Sequence, residues 1–101
     1  MKLKELQEIL DKILDLRMER FYNIEELNKI YRDLILLKEE IIKFSLIGLL
    51  PEEIEIFDYI KFRALEELYL VELDIKEKNG LDTKNIKGKL ESLYAANGGD
   101  L

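Results

Sequence analysis

Leu6, Ile9, Ile13 and Leu16, and after them Leu27, Ile30, Leu34, Leu37, Ile41 and Phe44, fall on one alternating spacing of three and four residues. That repeat places side chains along one seam of a helix. Only Arg20 and Asn23 interrupt the phase. The pattern fits either one rod over residues 3–47 or two helices folded back on each other. Asn23 with Glu26 three residues on has the form of a capping box, in which Asn caps the free amides and Glu reaches back. Arg17 and Arg20 suit the negative end of a helix that stops before Asn23. A rod would also leave Phe21 and Tyr22 side by side, facing away from the seam. The spacing together with the cap predicts a break at residues 21–23.

The second helix carries Tyr31, Ile35, Leu36, Ile42 and Leu46 off its seam, more apolar positions than packing on one neighbour requires. Gly48 is placed at its C′ position, and Pro51 opens the next helix at its first turn. There Ile54, Phe57, Ala64, Leu68, Val71 and Ile75 form a main seam with Lys61 as its polar member. Phe62, Leu65, Tyr69 and Leu73 form a second stripe beside it. Asn79-Gly80 ends this helix. Asp82 or Thr83 caps a last one, with Ile86, Leu90, Leu93 and Tyr94 facing in and Gly88 weakening it. The expectation is an all-α protein in a single domain over residues 1–101, with helices at about 2–20, 24–47, 51–78 and 83–96. Its predicted architecture is an antiparallel helical bundle of three long helices plus one short C-terminal helix. Coiled-coil seams and surplus apolar surface on helices two and three predict a twofold homodimer.

Composition narrows the chemistry. With 48% hydrophobic and 38% charged residues and one proline, the chain is far from the composition of a disordered one. It has no cysteine, which excludes disulfides and thiolate chemistry. Acids at Glu5, Glu8, Asp11 and Asp15 exclude a secretory apolar segment, and no uncharged run exceeds the eight residues from Phe44 to Pro51. A cytoplasmic protein that does not enter a membrane is expected. The net charge is −6, and the eight acids against two bases from Glu52 to Asp74 account for all of it. From Lys76 to Lys89 the sign reverses, with Lys76, Lys78, Lys84, Lys87 and Lys89 against Glu77 and Asp82. An acidic balance disfavours a general grip on nucleic acid, which leaves that lysine cluster as the one alternative.

Histidine is absent, which removes the usual general base, the Ser-His-Asp arrangement and the common zinc sites. No glycine-rich phosphate loop occurs. Carboxylate chemistry with magnesium remains. Glu39-Glu40 followed by Glu55 and Asp58 resembles in part the all-α nucleotide pyrophosphohydrolases of the MazG type, which use Glu-Glu-x-x-Glu and then Glu-x-x-Asp on successive helices. Lys43 stands where the third acid of that pattern belongs. The resemblance implies a magnesium-dependent nucleotide hydrolase with Glu39, Glu40, Glu55 and Asp58 as metal ligands. The same residues fit solvated faces and a helix start, and on that reading there is no metal, cofactor or catalytic residue. Lys61 and Arg20 on apolar seams fit cations whose stems lie on apolar surface with the head in water.

The function expected is that of a noncatalytic assembly or regulatory module working through protein contacts. Its interface candidates are Phe21, Tyr22, Ile35, Ile42, Tyr59 and Leu70, with Glu52, Glu53, Glu66 and Glu67 as an acidic face. Such a face suits a basic protein partner, whose approach its field would accelerate, and an acidic inhibitor of that partner is one form the module takes.

Overall fold

A computed structural model describes residues 2–18 and 23–97. Among them the chain forms four helices and no strand: α1 (Leu3–Met18), α2 (Ile24–Lys43), α3 (Pro51–Lys78) and α4 (Lys84–Ala96). The start of α2 follows from its sequence, because Asn23 is extended and its Oδ1 accepts the Glu26 N–H at 2.8 Å. One of the four amides that a helix start leaves free is thereby satisfied. The continuous rod is excluded. Phe21, Tyr22 and Arg20 lie outside the described residues.

The end of α2 departs from expectation. The helix stops at Lys43 rather than at residue 47, because Phe44 turns to extended backbone (φ −68°, ψ 131°) and stacks on Phe57 of α3 at 5.2 Å between ring centres. Gly48 is therefore not the C′ residue of α2. It sits at φ +84° in the third position of a turn closed by the Leu49 N–H on the Leu46 carbonyl at 3.2 Å. That position of a type II turn demands positive φ. Pro51 opens α3 as expected. Leu50 at its N-cap has no side-chain acceptor, so only the reciprocal half of a capping box forms, with the Leu50 N–H donating to Glu53 Oε1 at 3.0 Å.

Asn79-Gly80 ends α3 by a Schellman motif. Leu81 N–H reaches the Lys76 carbonyl at 2.8 Å and Gly80 N–H the Glu77 carbonyl at 3.2 Å, with Gly80 at φ +65°. At α4 the side-chain cap comes from Asp82, whose Oδ1 accepts the Lys84 N–H at 3.0 Å, while Thr83 holds the N-cap position.

The core is built from one row per helix. In α1 the buried row is Leu6, Leu10 and Ile13, and Leu16, placed on the seam by its spacing, is 44% exposed. In α2 it is Leu27, Ile30, Leu34, Leu37 and Ile41, as the spacing predicts. In α3 it is Phe57, Ile60, Ala64, Leu68 and Val71. Ile60 takes the place given to Lys61, which is exposed. A one-residue shift turns a side chain by roughly 100° on a helix of 3.6 residues per turn, so the seam passes through the isoleucine and the lysine reaches water.

These rows form one cluster. Within it α1, α2 and α3 all touch one another. Pairs between α2 and α3 occur in opposite chain order, Tyr31 with Glu72 and Phe44 with Phe57. Among the described residues α4 packs only on α3. It covers the second stripe, with Tyr94 beside Phe62 at 6.4 Å between ring centres and Lys89 over the Tyr69 ring at 5.9 Å.

Gly88 lies mid-α4 without positive φ, and a Cβ there would meet nothing within 4 Å. Gly88→Ala is expected to stabilise the protein by about 1 kcal/mol. That should raise the thermal midpoint followed by circular dichroism by about 5 °C. Gly80→Ala, at positive φ, is expected to lower it.

Candidate interaction surface

The segment between α2 and α3 is uncharged from Phe44 to Pro51 and ends in an apolar tip. Ile47 is 94% exposed, Leu46 and Leu50 project beside it, and Ile42 on the last turn of α2 is 72% exposed. The tip is held in one shape. Besides the Gly48 turn, the Ile47 N–H donates to Ser45 Oγ at 3.3 Å, and the Phe44–Phe57 stack anchors its base. Acids border it on both sides: Glu39 and Glu40 before it, Glu52, Glu53, Glu55 and Asp58 after it, with Lys43 as the cation among them.

Toward the other end of α3, an open groove of about 790 Å³ runs between α3 and α4. Tyr69, Gly88 and Leu93 contribute its apolar lining, Lys84 and Lys89 its cations, and Asp82 one acid. A second groove of about 500 Å³ lies between α1 and α2, where Leu16 and Leu36 meet Lys12, Asp33 and Glu40. Lys38 and Lys61 flank a small apolar recess of about 110 Å³ between α2 and α3.

The acidic face expected on α3 divides in two. Glu52, Glu55 and Asp58 are exposed, and Glu53 is occupied as a cap. Glu66 and Glu67 belong to an internal polar network. Glu67 is 5% exposed and accepts Arg17 Nε of α1, while Arg17 Nη1 reaches Asp74 Oδ2 at 3.0 Å. Arg63 pairs with Glu66 and lies 3.7 Å from Glu67 Oε2. Tyr94 of α4 donates to Glu66 Oε2 at 2.9 Å. Tyr31 of α2 donates to Glu72 at 3.4 Å, and Lys76 lies 3.8 Å from the same carboxylate. Burial alone would lower the Arg17 pKa, but its hydrogen bonds and charge pairing with Glu67 and Asp74 outweigh that and leave it raised. These groups tie α1, α2 and α4 to successive sides of α3, so they are internal and do not form a free acidic surface.

Of the other expected interface residues, Ile42 and Tyr59 are exposed, and Ile35 and Leu70 are half-buried. Phe21 and Tyr22 fall outside the described residues. Glu39, Glu55 and Asp58 are exposed and Glu40 half-buried. Among the described residues no three acidic side chains converge in a way that could hold a metal ion. The lysines also separate: Lys84 and Lys89 line the groove, Lys76 is paired, and Lys78 and Lys87 are exposed. Among the described residues no helix is long and apolar enough to cross a membrane.

Leu46, Ile47 and Leu50 were not among the residues expected at an interface. Their signal was present in the uncharged run, whose meaning changes once α2 stops at Lys43 and three aliphatic side chains fall on a turn. Comparisons with protein-family models, curated proteins and solved structures match nothing to this chain.

Arg17→Met is expected to destabilise the protein by about 3 kcal/mol, because it leaves the buried Glu67 carboxylate with only the distant Arg63. Glu67→Leu is expected to cost less, since Arg17 keeps Asp74 and Arg63 keeps Glu66. Urea unfolding of both variants measures the difference.

The tyrosines give a pH dependence. Tyr31 and Tyr94 hold their protons more tightly than a free tyrosine, first through burial, then through Glu72 for Tyr31 and Glu66 for Tyr94. A raised native pKa means this contribution is complete below the unfolded value of about 10 and is lost as pH climbs through the native value. Unfolding free energy is expected to fall more steeply above pH 10 in the wild type than in the Tyr31→Phe/Tyr94→Phe variant.

Proposed function

We propose that the chain is a noncatalytic interaction module: an antiparallel helical bundle that self-associates as a dimer and works through surfaces of α2 and α3. One observation carries this reading. Of the large apolar side chains exposed among the described residues, Ile42, Leu46, Ile47, Leu50, Ile56 and Tyr59 come from a single stretch of the chain. Scattered exposed apolar residues are ordinary, whereas a concentration of them marks a contact site. The opposite chain order of the α2–α3 pairs supports the antiparallel arrangement. Among the described residues no three acidic side chains, Glu39, Glu40, Glu55 and Asp58 included, gather where they could hold a metal ion.

Sedimentation equilibrium at micromolar concentration is expected to give twice the 12.0 kDa chain mass. A mass near that of one chain removes the dimer. A rise in melting temperature on adding magnesium, abolished by Glu55→Gln with Asp58→Asn, overturns the noncatalytic reading in favour of the hydrolase, since only a ligand bound to the native state shifts the transition.

A further inference from the structure

The apolar tip has Glu52 and Glu55 at its rim, the groove has Lys84 and Lys89 in its lining, and the two lie apart along α3. The tip adjoins the N-terminus of α3, and the groove takes Tyr69 from its C-terminal third and the remainder from the Asp82 loop and α4. Between Leu50 and Tyr69 the helix rises about 28 Å at 1.5 Å per residue. A tip held by its own turn therefore does not reach the groove of its own chain.

We infer that the groove's occupant is the tip of a second copy. Two copies lying side by side in opposite directions place each tip in the other's groove. The twofold axis then generates the contact twice, with residue i on j and j on i. Leu46, Ile47 and Leu50 meet the apolar lining at Tyr69 and Leu93. Glu52 and Glu55 at the tip's rim meet Lys84 and Lys89 at the groove's. A single tip is small beside the roughly 1,200–2,000 Å² that specific interfaces bury. The reciprocal arrangement doubles it.

Acids at the N-terminus of α3 and Lys76 and Lys78 at its C-terminus are favourable in any isolated helix, and Asp82 already caps α4 beside Lys84. The fixed turn at Ser45 to Leu49 favours docking, since a preordered knob loses less entropy on binding. The carboxylates around the tip disfavour the anionic membrane surface that an exposed apolar loop could otherwise enter.

This inference rests on the self-association proposed above, and charge reversal tests it separately. Glu52→Lys/Glu55→Lys and Lys84→Glu/Lys89→Glu are each expected to be monomeric in sedimentation equilibrium, with helical content by circular dichroism unchanged. Mixed in equal amounts they are expected to form a heterodimer, because both contacts are then complementary again. Ile47→Asp, which alters a side chain with no packing role in the monomer, is expected to weaken the wild-type dimer at least tenfold. Raising salt to 0.5 M is expected to weaken it as well. A dimer that survives all three variants overturns the docking and leaves the self-association intact, whereas a monomeric wild type overturns both. Binding of the wild type, but not of Ile47→Asp, to phosphatidylcholine vesicles in place of self-association also overturns it.

Discussion

A 28-residue helix that is apolar on two flanks cannot be satisfied by one neighbour, and the rest of this molecule follows from that. One flank of α3, through Phe57, Ile60, Ala64, Leu68 and Val71, closes the core made by α1 and α2. The other, through Phe62 and Tyr69, needs α4. The dependence is mutual, because α4 has 13 residues, an internal glycine and, among the described residues, no other helical neighbour. Isolated helices of that length are marginal in water. It stands because α3 offers Ile86 and Leu90 a place to be buried.

Apolar contact is nondirectional and tolerates a slide of one helical turn, whereas the polar network does not. Arg17 has to arrive where both Glu67 and Asp74 can accept from it. Displaced by a turn, it would leave a buried carboxylate with an arginine nitrogen 3.7 Å away as its remaining partner. Such a pair adds little stability over apolar side chains of the same volume, but breaking it is costly. It therefore acts on register more than on total stability. Tyr94 with Glu66 and Tyr31 with Glu72 hold α4 and α2 to the same helix in a similar way.

The helices were legible to within a few residues wherever a local mechanism sets their limits. Asn23, Pro51 and Asn79-Gly80 act on backbone groups a few positions away, so the sequence around them contains the cause. Phe44 was misplaced because its partner, Phe57, lies beyond the turn, and stacking between them ends α2 early. Ile60 was missed for Lys61 because the seam on α3 is wide enough for periodicity to admit both. Glu66 and Glu67 looked like solvated acids. Their arginine and tyrosine partners include residues up to 50 positions away, a separation at which spacing carries no information.

By itself the sequence determined the all-helical composition, the number of helices among the described residues, most of the buried rows, and the poverty of the chain in histidine and cysteine chemistry. These depend on backbone preferences, capping and periodicity, all of which act over one or two helical turns. Tertiary structure alone decided which acids are internal, where α2 stops, and that Leu46, Ile47 and Leu50 stand exposed on a fixed turn. Those outcomes depend on which side chains meet across the fold. A carboxylate is a surface charge or a buried partner according to whether an arginine from another helix reaches it.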